Sequence, residues 1–239
     1  MQKILGLIRK AIHEFDLIED GDKVAIGVSG GKDSLVLLEG LGRIKTFLPI
    51  SFDIVAITLD LQFDNEPSDY SSIQEMCDKY KIKYIIQPTN IADVVFNIKK
   101  EKHPCSLCAR MRRGALHDAA KKNNCNKIAF GHHFDDAVET FIMNLFNEGR
   151  IDCFAPKTYL SRKDITLIRP LVFAKEQEII SASQKLNLKV VKNKCPIDGK
   201  TNRQVTKEFL NKKEQSDPGF KDRIFGAIRR KNINGWGFK

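Results

Sequence analysis

The chain has 239 residues, which suits one α/β domain with an appendage. Its hydrophobic fraction of 42% is enough for a proper core. A net charge of +10 points to a polyanionic partner, and no apolar run reaches the length of a membrane span.

The charge is unevenly spread. Residues 99–113 carry Lys99, Lys100, Lys102, Arg110, Arg112 and Arg113 against Glu101 alone. Residues 196–239 carry eleven Lys or Arg against five Asp or Glu, so the rest of the chain is close to neutral. Two concentrated basic segments suit a nucleic-acid surface, and a solvated basic face is the alternative. The N-terminus reads as an amphipathic helix over residues 2–17, with Ile4, Leu7, Ile8, Ile12 and Phe15 on one face. Charges interrupt its apolar stretch, so it is not a signal peptide. A cytoplasmic location follows, where the six cysteines should stay free of structural disulfides.

In chain order, residues 1–20 form the N-terminal helical unit, 21–195 the main domain and 196–239 a basic C-terminal tail. Strand 23–28 leads into a helix over about 33–46. The β-branched run 52–60 is a second strand and 70–80 a helix. Strand 83–87, helix 105–123, strand 127–130 and helix 136–147 follow. Residues 151–173 are less regular and hold a strand at 165–168. Helix 175–186 and strand 189–191 complete the sheet. The tail is partly helical. Apolar strands alternating with helices predict a parallel, doubly wound α/β sheet, with ligands outside the carboxyl ends of its strands.

Ser29-Gly30-Gly31-Lys32-Asp33-Ser34 sits between the first strand and its helix. Such a turn makes an anion site from free backbone N–H groups, the helix dipole, two hydroxyls and a lysine. It is not a Walker A loop, because Asp33 follows the lysine and Ile26 fills the first glycine position. Gly131-His132-His133-Phe134-Asp135-Asp136 repeats the strand-to-helix arrangement. Asp135 and Asp136 there are candidate Mg²⁺ ligands or, alternatively, helix caps, and His132 is a candidate contact to phosphate or a reacting group. Asp60, ending the second strand, falls at the same sheet edge, and Thr58 and Leu59 before it are candidates to border a ligand there.

Cys105-Ser106-Leu107-Cys108 can bring two thiolates together, and Cys195 falls near the same edge. A three-cysteine iron–sulfur site, a redox pair and an incomplete zinc site all remain open on spacing alone. Cys77 and Cys125 read as core residues. Trp236 and Phe238 lie beside Arg229-Arg230-Lys231, so they either help grip a nucleic-acid backbone or pack on the core.

The sequence SGGKDS resembles the pyrophosphate loop (PP-loop) of ATP pyrophosphatases, which cleave ATP between its α and β phosphates. Together with Pro104–Leu116 (PCSLCARMRRGAL), Ile128–Thr140 (IAFGHHFDDAVET) and Ile168–Leu171 (IRPL), it resembles the tRNA 2-thiocytidine synthetase (TtcA-like) family over about residues 20–210. The resemblance implies the adenine nucleotide α-hydrolase-like (HUP) fold. It implies ATP- and Mg²⁺-dependent thiolation of an anticodon-loop cytidine in tRNA. It also implies a 4Fe–4S cluster on Cys105, Cys108 and Cys195, a sulfur donor such as a cysteine desulfurase, and a homodimer. Nucleotide binding then falls to Ser29, Gly30, Gly31, Lys32, Asp33, Ser34, Asp60, Gly131, Asp135 and Asp136. The catalytic candidates are Lys32, Asp33, Ser34, His132 and Asp136, and the tRNA contacts Arg112, Arg113 and Arg169. A lysidine synthetase-like ligase shares the ATP loop but needs no cluster. A non-enzymatic metal-cluster tRNA-binding protein and an NAD-synthetase-like amidating enzyme are the other readings.

Overall fold

The computed structural model describes residues 1–63, 68–99, 104–191, 194–196 and 202–238. Lys100, Glu101 and Lys102 of the first basic segment, and Lys200 and Lys239 of the second, lie outside them.

Six strands make one sheet in the order β3-β2-β1-β4-β6-β5. They are β1 (Lys23–Gly27), β2 (Asp53–Asp60), β3 (Lys83–Pro88), β4 (Lys127–Ala129), β5 (Lys157–Leu160) and β6 (Ile165–Ile168). All neighbours are parallel except β5, which runs antiparallel to β6. The antiparallel edge and β5 itself were not anticipated. Its residues are only partly covered and show no clean alternation. The expected strand at 189–191 is absent, and residues 189–191 carry no ladder. β5 already occupies the edge beside β6, so that run instead crosses to the first loop, where Val191 N–H donates to Gly30 O at 3.0 Å.

The central strands are buried almost throughout, and successive residues along them join opposite cores, as a sheet covered on both faces requires. Val24, Ile26, Ile54 and Ala56 face one core, together with α1 (Gln2–Phe15), α2 (Lys32–Ile44) and α7 (Glu176–Lys185). Ala25, Val55, Ile57 and Ile128 face the other, where α5 (Pro104–Lys122) supplies Leu116, Ala119 and Ala120. Helices thus cover both faces. Three further helical segments belong to the main body: α3 (Ser71–Lys79), the turn α4 (Ile91–Asp93) and α6 (Phe134–Glu148).

The C-terminal segment folds against this body. α8 (Asn202–Ser216) and α9 (Phe220–Arg230) both pack on α6. Leu210, Phe225, Ile228 and Trp236 are buried in the larger core. The Trp236 ring meets Phe15 at 6.0 Å, Phe154 at 6.0 Å and Phe225 at 5.2 Å between centroids. Of the two readings for the tail aromatics, core packing therefore holds for Trp236, while Phe238 is exposed. Arg229 is likewise buried, paired with Glu14, and unavailable to a nucleic-acid backbone.

Sheet order reverses between β1 and β4. Connections leave these two strands in opposite directions, which opens a crevice at their carboxyl ends. The two strand-to-helix loops singled out in the sequence follow β1 and β4, so both flank that crevice.

Candidate active site

The first loop is shaped from inside. Ser34 is buried, and its hydroxyl donates to Gly31 O at 2.9 Å and accepts from Ser29 N–H at 3.2 Å. The Ser29 hydroxyl lies 3.3 Å from it and accepts a long 3.4 Å bond from Gly31 N–H. The two hydroxyls expected to face a ligand are therefore engaged in holding the loop. Gly30 has φ +80°, and a β-carbon there would lie 2.6 Å from the Val191 β-carbon. Only glycine meets both conditions. Gly31 caps α2, leaving the first N–H groups of that helix at the crevice.

Lys32 and Asp33 border a cleft of about 430 Å³. The Lys32 ammonium lies 3.2 Å from Asp33 and 3.1 Å from Glu176, at the start of α7. Burial works to lower its pKa, but the two carboxylates outweigh this and raise it, so the lysine stays charged. Glu176 also receives Lys207 of α8 at 2.7 Å. Burial pushes its carboxyl up, yet Lys207 and Lys32 together hold it down at about 2.

The second loop presses on the first. A β-carbon at Gly131 would stand 3.0 Å from the Asp33 carbonyl carbon. Its two histidines then diverge. His132, the expected catalytic residue, does not border the cleft. Its ring lies 5.7 Å from Phe130 and 5.3 Å from Phe154, and burial pushes its pKa down to about 4. His133 borders the cleft instead, with Nε2 3.4 Å from Asp136 and 3.8 Å from Asp33.

The adjacent aspartates diverge in the same way. Asp135 accepts Glu176 N–H at 2.8 Å on one oxygen and Lys221 at 2.7 Å on the other, tying α6 to α7 and α9. Both its oxygens are used away from the cleft, contrary to the expected nucleotide role. Asp136 faces the cleft, accepts His133 N–H at 3.0 Å and pairs with Arg203 at 2.9 Å. Burial raises its pKa, but the two histidines, that N–H and Arg203 prevail and lower it. Arg203 also reaches Glu139 at 3.4 Å. Burial, reinforced by Asp136, lifts the Glu139 carboxyl to about 7.

Asp60 is buried at the end of β2 and accepts from Gln62 N–H at 3.2 Å and Tyr70 O–H at 3.3 Å. It stands at the expected edge, although Leu61 and Phe63, just beyond it, are what border the cleft. Thr58 is buried and donates to Val28 O at 2.8 Å, so it braces β2 and is not open to a ligand.

Cys105 and Cys108 sit in the first turns of α5, which Pro104 opens where its missing N–H costs nothing. Both line the same cleft as Lys32 and Asp136, and so does Cys195, although strand 189–191 is not there to present it. None of the three is in a disulfide. Burial raises the Cys108 pKa, with Arg112 opposing and Cys195 and Cys105 adding to it, so the three sulfurs are near enough to feel one another. Among the described residues no three His, Cys, Asp or Glu side chains converge to hold a single metal ion. Cluster thiolates bind separate irons and need no common point, so this donor set fits a polynuclear cluster better than one tetrahedral ion. For a hard cation, the cleft offers the carboxylates of Asp33, Asp136, Glu139 and Glu176, of which Asp33 and Asp136 belong to the two strand-to-helix loops.

Of the three expected tRNA contacts, Arg112 lines the cleft and Arg113 is exposed beside it, its Nε donating to Ala109 O. Arg169 is a correction. It is buried, bonds Ala155 O, and lies 4.8 Å over the Phe154 ring, with burial pushing its pKa down to about 10. It holds the β5 approach and meets no surface phosphate.

Glu139, Glu176, Arg203 and Lys207 were missed. Glu139 lies one turn after Asp136, a spacing the motif itself contained. Arg203 and Lys207, four apart in the tail, also share a helix face, but nothing in the sequence tied that face to the first loop.

A family described as the PP-loop domain matches residues 3–214. The tRNA-cytidine(32) 2-sulfurtransferase of Geobacter metallireducens is 36% identical over 233 residues, covering 95% of this chain and 89% of the relative. A Francisella tularensis protein called tRNA-cytidine(32) 2-sulfurtransferase 1 is 38% identical over 228 residues, covering 95% and 85%. The U34-tRNA thiolase NcsA of Methanococcus maripaludis, solved with its [4Fe-4S] cluster, superposes with a TM-score of 0.79 at 26% identity, covering 96% of this chain and 77% of that one. With a two-faced sheet, its loop after β1 and this likeness along nearly its whole length, the chain belongs to the PP-loop family, in the branch of the tRNA-cytidine 2-sulfurtransferases.

Proposed function

We propose that this protein uses ATP to replace the C2 oxygen of an anticodon-loop cytidine in tRNA with sulfur. One observation carries the reading: Lys32 and Asp136 line the same cleft as Cys105, Cys108 and Cys195. An ATP-activating half and a sulfur-carrying half thus open on one space. The names of the relatives supply the reaction class, and position 32 is the base they act on.

On this reading the first N–H groups of α2 and the Lys32 ammonium bind the β and γ phosphates. Fixed donors in a partly enclosed site favour the charge that develops as the α–β bond breaks. The cytidine C2 oxygen attacks the α phosphate, giving an adenylated base and pyrophosphate, and sulfide then adds at C2 as the C2–O bond breaks and AMP leaves with that oxygen. Asp33 and Asp136 would hold Mg²⁺ against the phosphate oxygens. Cys105, Cys108 and Cys195 would hold a 4Fe–4S cluster, whose fourth iron supplies a position for sulfide. Arg112, at the cleft beside Cys108, and Arg113 meet RNA phosphate. The base must leave its stack to enter such a cleft, and a single-stranded loop allows this cheaply. A cysteine desulfurase as sulfur source, a homodimer and a cytoplasmic setting complete the proposal. Among the described residues no helix is long and apolar enough to cross a membrane.

Anaerobic reconstitution with iron, sulfide, ATP, Mg²⁺ and bulk tRNA, followed by nucleoside mass analysis, tests it. The expected product is 2-thiocytidine with one pyrophosphate released per thiolation. Pyrophosphate without any thionucleoside, or lysine joined to cytidine, would overturn it.

A further inference from the structure

Two chains of charge cross the cleft, and α8 contributes to both. In one, Lys32 and Lys207 share a single oxygen of Glu176, at 3.1 and 2.7 Å. In the other, Arg203 bridges Asp136 at 2.9 Å and Glu139 at 3.4 Å. All six side chains line the cleft. Arg203 and Lys207 lie one helical turn apart and so present themselves together. Their side chains are 43% and 31% exposed, so neither is locked into the core.

Glu176 is fixed where it is. Its backbone N–H is held by Asp135, and it opens α7. The Lys32 ammonium is the group at the phosphate loop, and its nearest partner beyond Asp33 is this fixed carboxylate. A polyphosphate entering at the loop must compete with Glu176 for Lys32. The same competition releases Lys207, whose long flexible stem lets the ammonium follow the new anion. Arg203 stands one turn nearer Asp136, where its planar fork can serve phosphate oxygens as well as it serves carboxylates. A Mg²⁺ arriving with the phosphates would then take over the Asp136 carboxylate that Arg203 gives up.

We propose that Arg203 and Lys207 are substrate-positioning residues that exchange their carboxylate partners for the β and γ phosphates of bound ATP. The inference rests on the reading of the first loop as the ATP site, and it adds the C-terminal helix as that site's second wall. It selects nucleotide over RNA phosphate because Lys207 shares a Glu176 oxygen with Lys32, the lysine of the loop itself.

Calorimetric titration of the full-length protein with ATP, inorganic pyrophosphate and AMP, each with Mg²⁺, tests it, alongside filter binding of tRNA. In Lys207→Ala, affinity for ATP and pyrophosphate should fall about tenfold, the scale of one lost charge-assisted bond, while AMP and tRNA stay within about twofold. Arg203→Ala should show the same selectivity, and Arg203→Lys should recover part of the loss. Glu176→Gln should tighten pyrophosphate binding, because the competitor for both lysines is weakened. The proposal is overturned if ATP and pyrophosphate bind both alanine variants as tightly as wild type. It is equally overturned if AMP weakens by the same factor, which marks a general structural loss, or if tRNA alone weakens. Wild type failing to bind ATP at all would instead remove the underlying reading of the loop.

Discussion

Gly131 stands against the backbone of Asp33: a β-carbon on Gly131 would lie 3.0 Å from the Asp33 carbonyl carbon and 3.1 Å from Ser34 N. The loop after β4 is therefore a mould for the loop after β1. The contacting atoms are backbone at a helix start, so they cannot rotate away as a side chain would. Gly131→Ala should cost about 1–3 kcal/mol in stability, the range for added bulk in a packed site. It should weaken ATP binding by more than that stability loss accounts for. Urea unfolding and ATP titration on the same variant separate the two effects; unchanged ATP affinity would refute the mould.

Cys195→Ala should abolish both the brown colour after reconstitution and thiolation, while leaving ATP affinity close to wild type. Cys153→Ala is the control. Its thiol is buried, pushed up to about 12 by that burial, and bonded to Ala137 O at 3.4 Å, so it should not affect iron content. Iron and sulfide analysis against ATP titration reads both outcomes.

His132 makes a pH prediction. Its folded pKa of about 4 lies below the ordinary 6.5, so the unfolded chain binds the proton more readily. The stability from keeping this ring neutral is complete above pH 6.5 and is lost as pH falls towards 4. At its fullest the effect is about 3 kcal/mol. Glu139 works the other way, because its folded pKa of about 7 makes stability fall as pH rises from 4.5 to 7. The two partly cancel in the wild type. His132→Phe should therefore lose less stability than wild type between pH 6.5 and 4.5, measured by urea unfolding at both pH values. An identical loss in both proteins would refute the assignment.

These residues show what the sequence could and could not convey. The periodicity of Ile4, Leu7, Ile8 and Ile12 marks α1 because each helix buries one stripe. The loop after β1 was legible because its glycines, lysine and hydroxyls are contiguous. His132 and His133 were not separable, since adjacent residues at a strand-to-helix junction point apart and only the surrounding packing decides which meets the cleft. Asp135 and Asp136 pose the same problem. Val190 and Val191 have strand composition, yet β5 had taken the edge they would have joined. Glu176 and Lys207 reach Lys32 only through tertiary structure, from positions far along the chain.

Trp236→Ala should cost about 3–5 kcal/mol, as large aromatic truncations in cores do. Phe238→Ala, two residues on and exposed, should cost no more than about 1 kcal/mol, the scale of the contact its ring makes with Arg229 at 3.9 Å. Thermal unfolding of the two variants decides whether the tail is part of the core or a loose grip on RNA.

The meeting of Phe15 and Trp236 also governs when this protein can finish folding. A ribosome delivers the face of α1 long before its aromatic partner at residue 236. Until residue 236 is free of the exit tunnel, Phe15 and Phe154 lack the ring that packs on them, and Glu14 lacks Arg229. A nascent chain must therefore carry an open apolar seam until α9 and Trp236 have emerged, and its closure is a step of high contact order. A stalled or truncated product should be recognised by chaperones and proteases along that seam, so that chains with an unfinished core are removed before they reach their substrate.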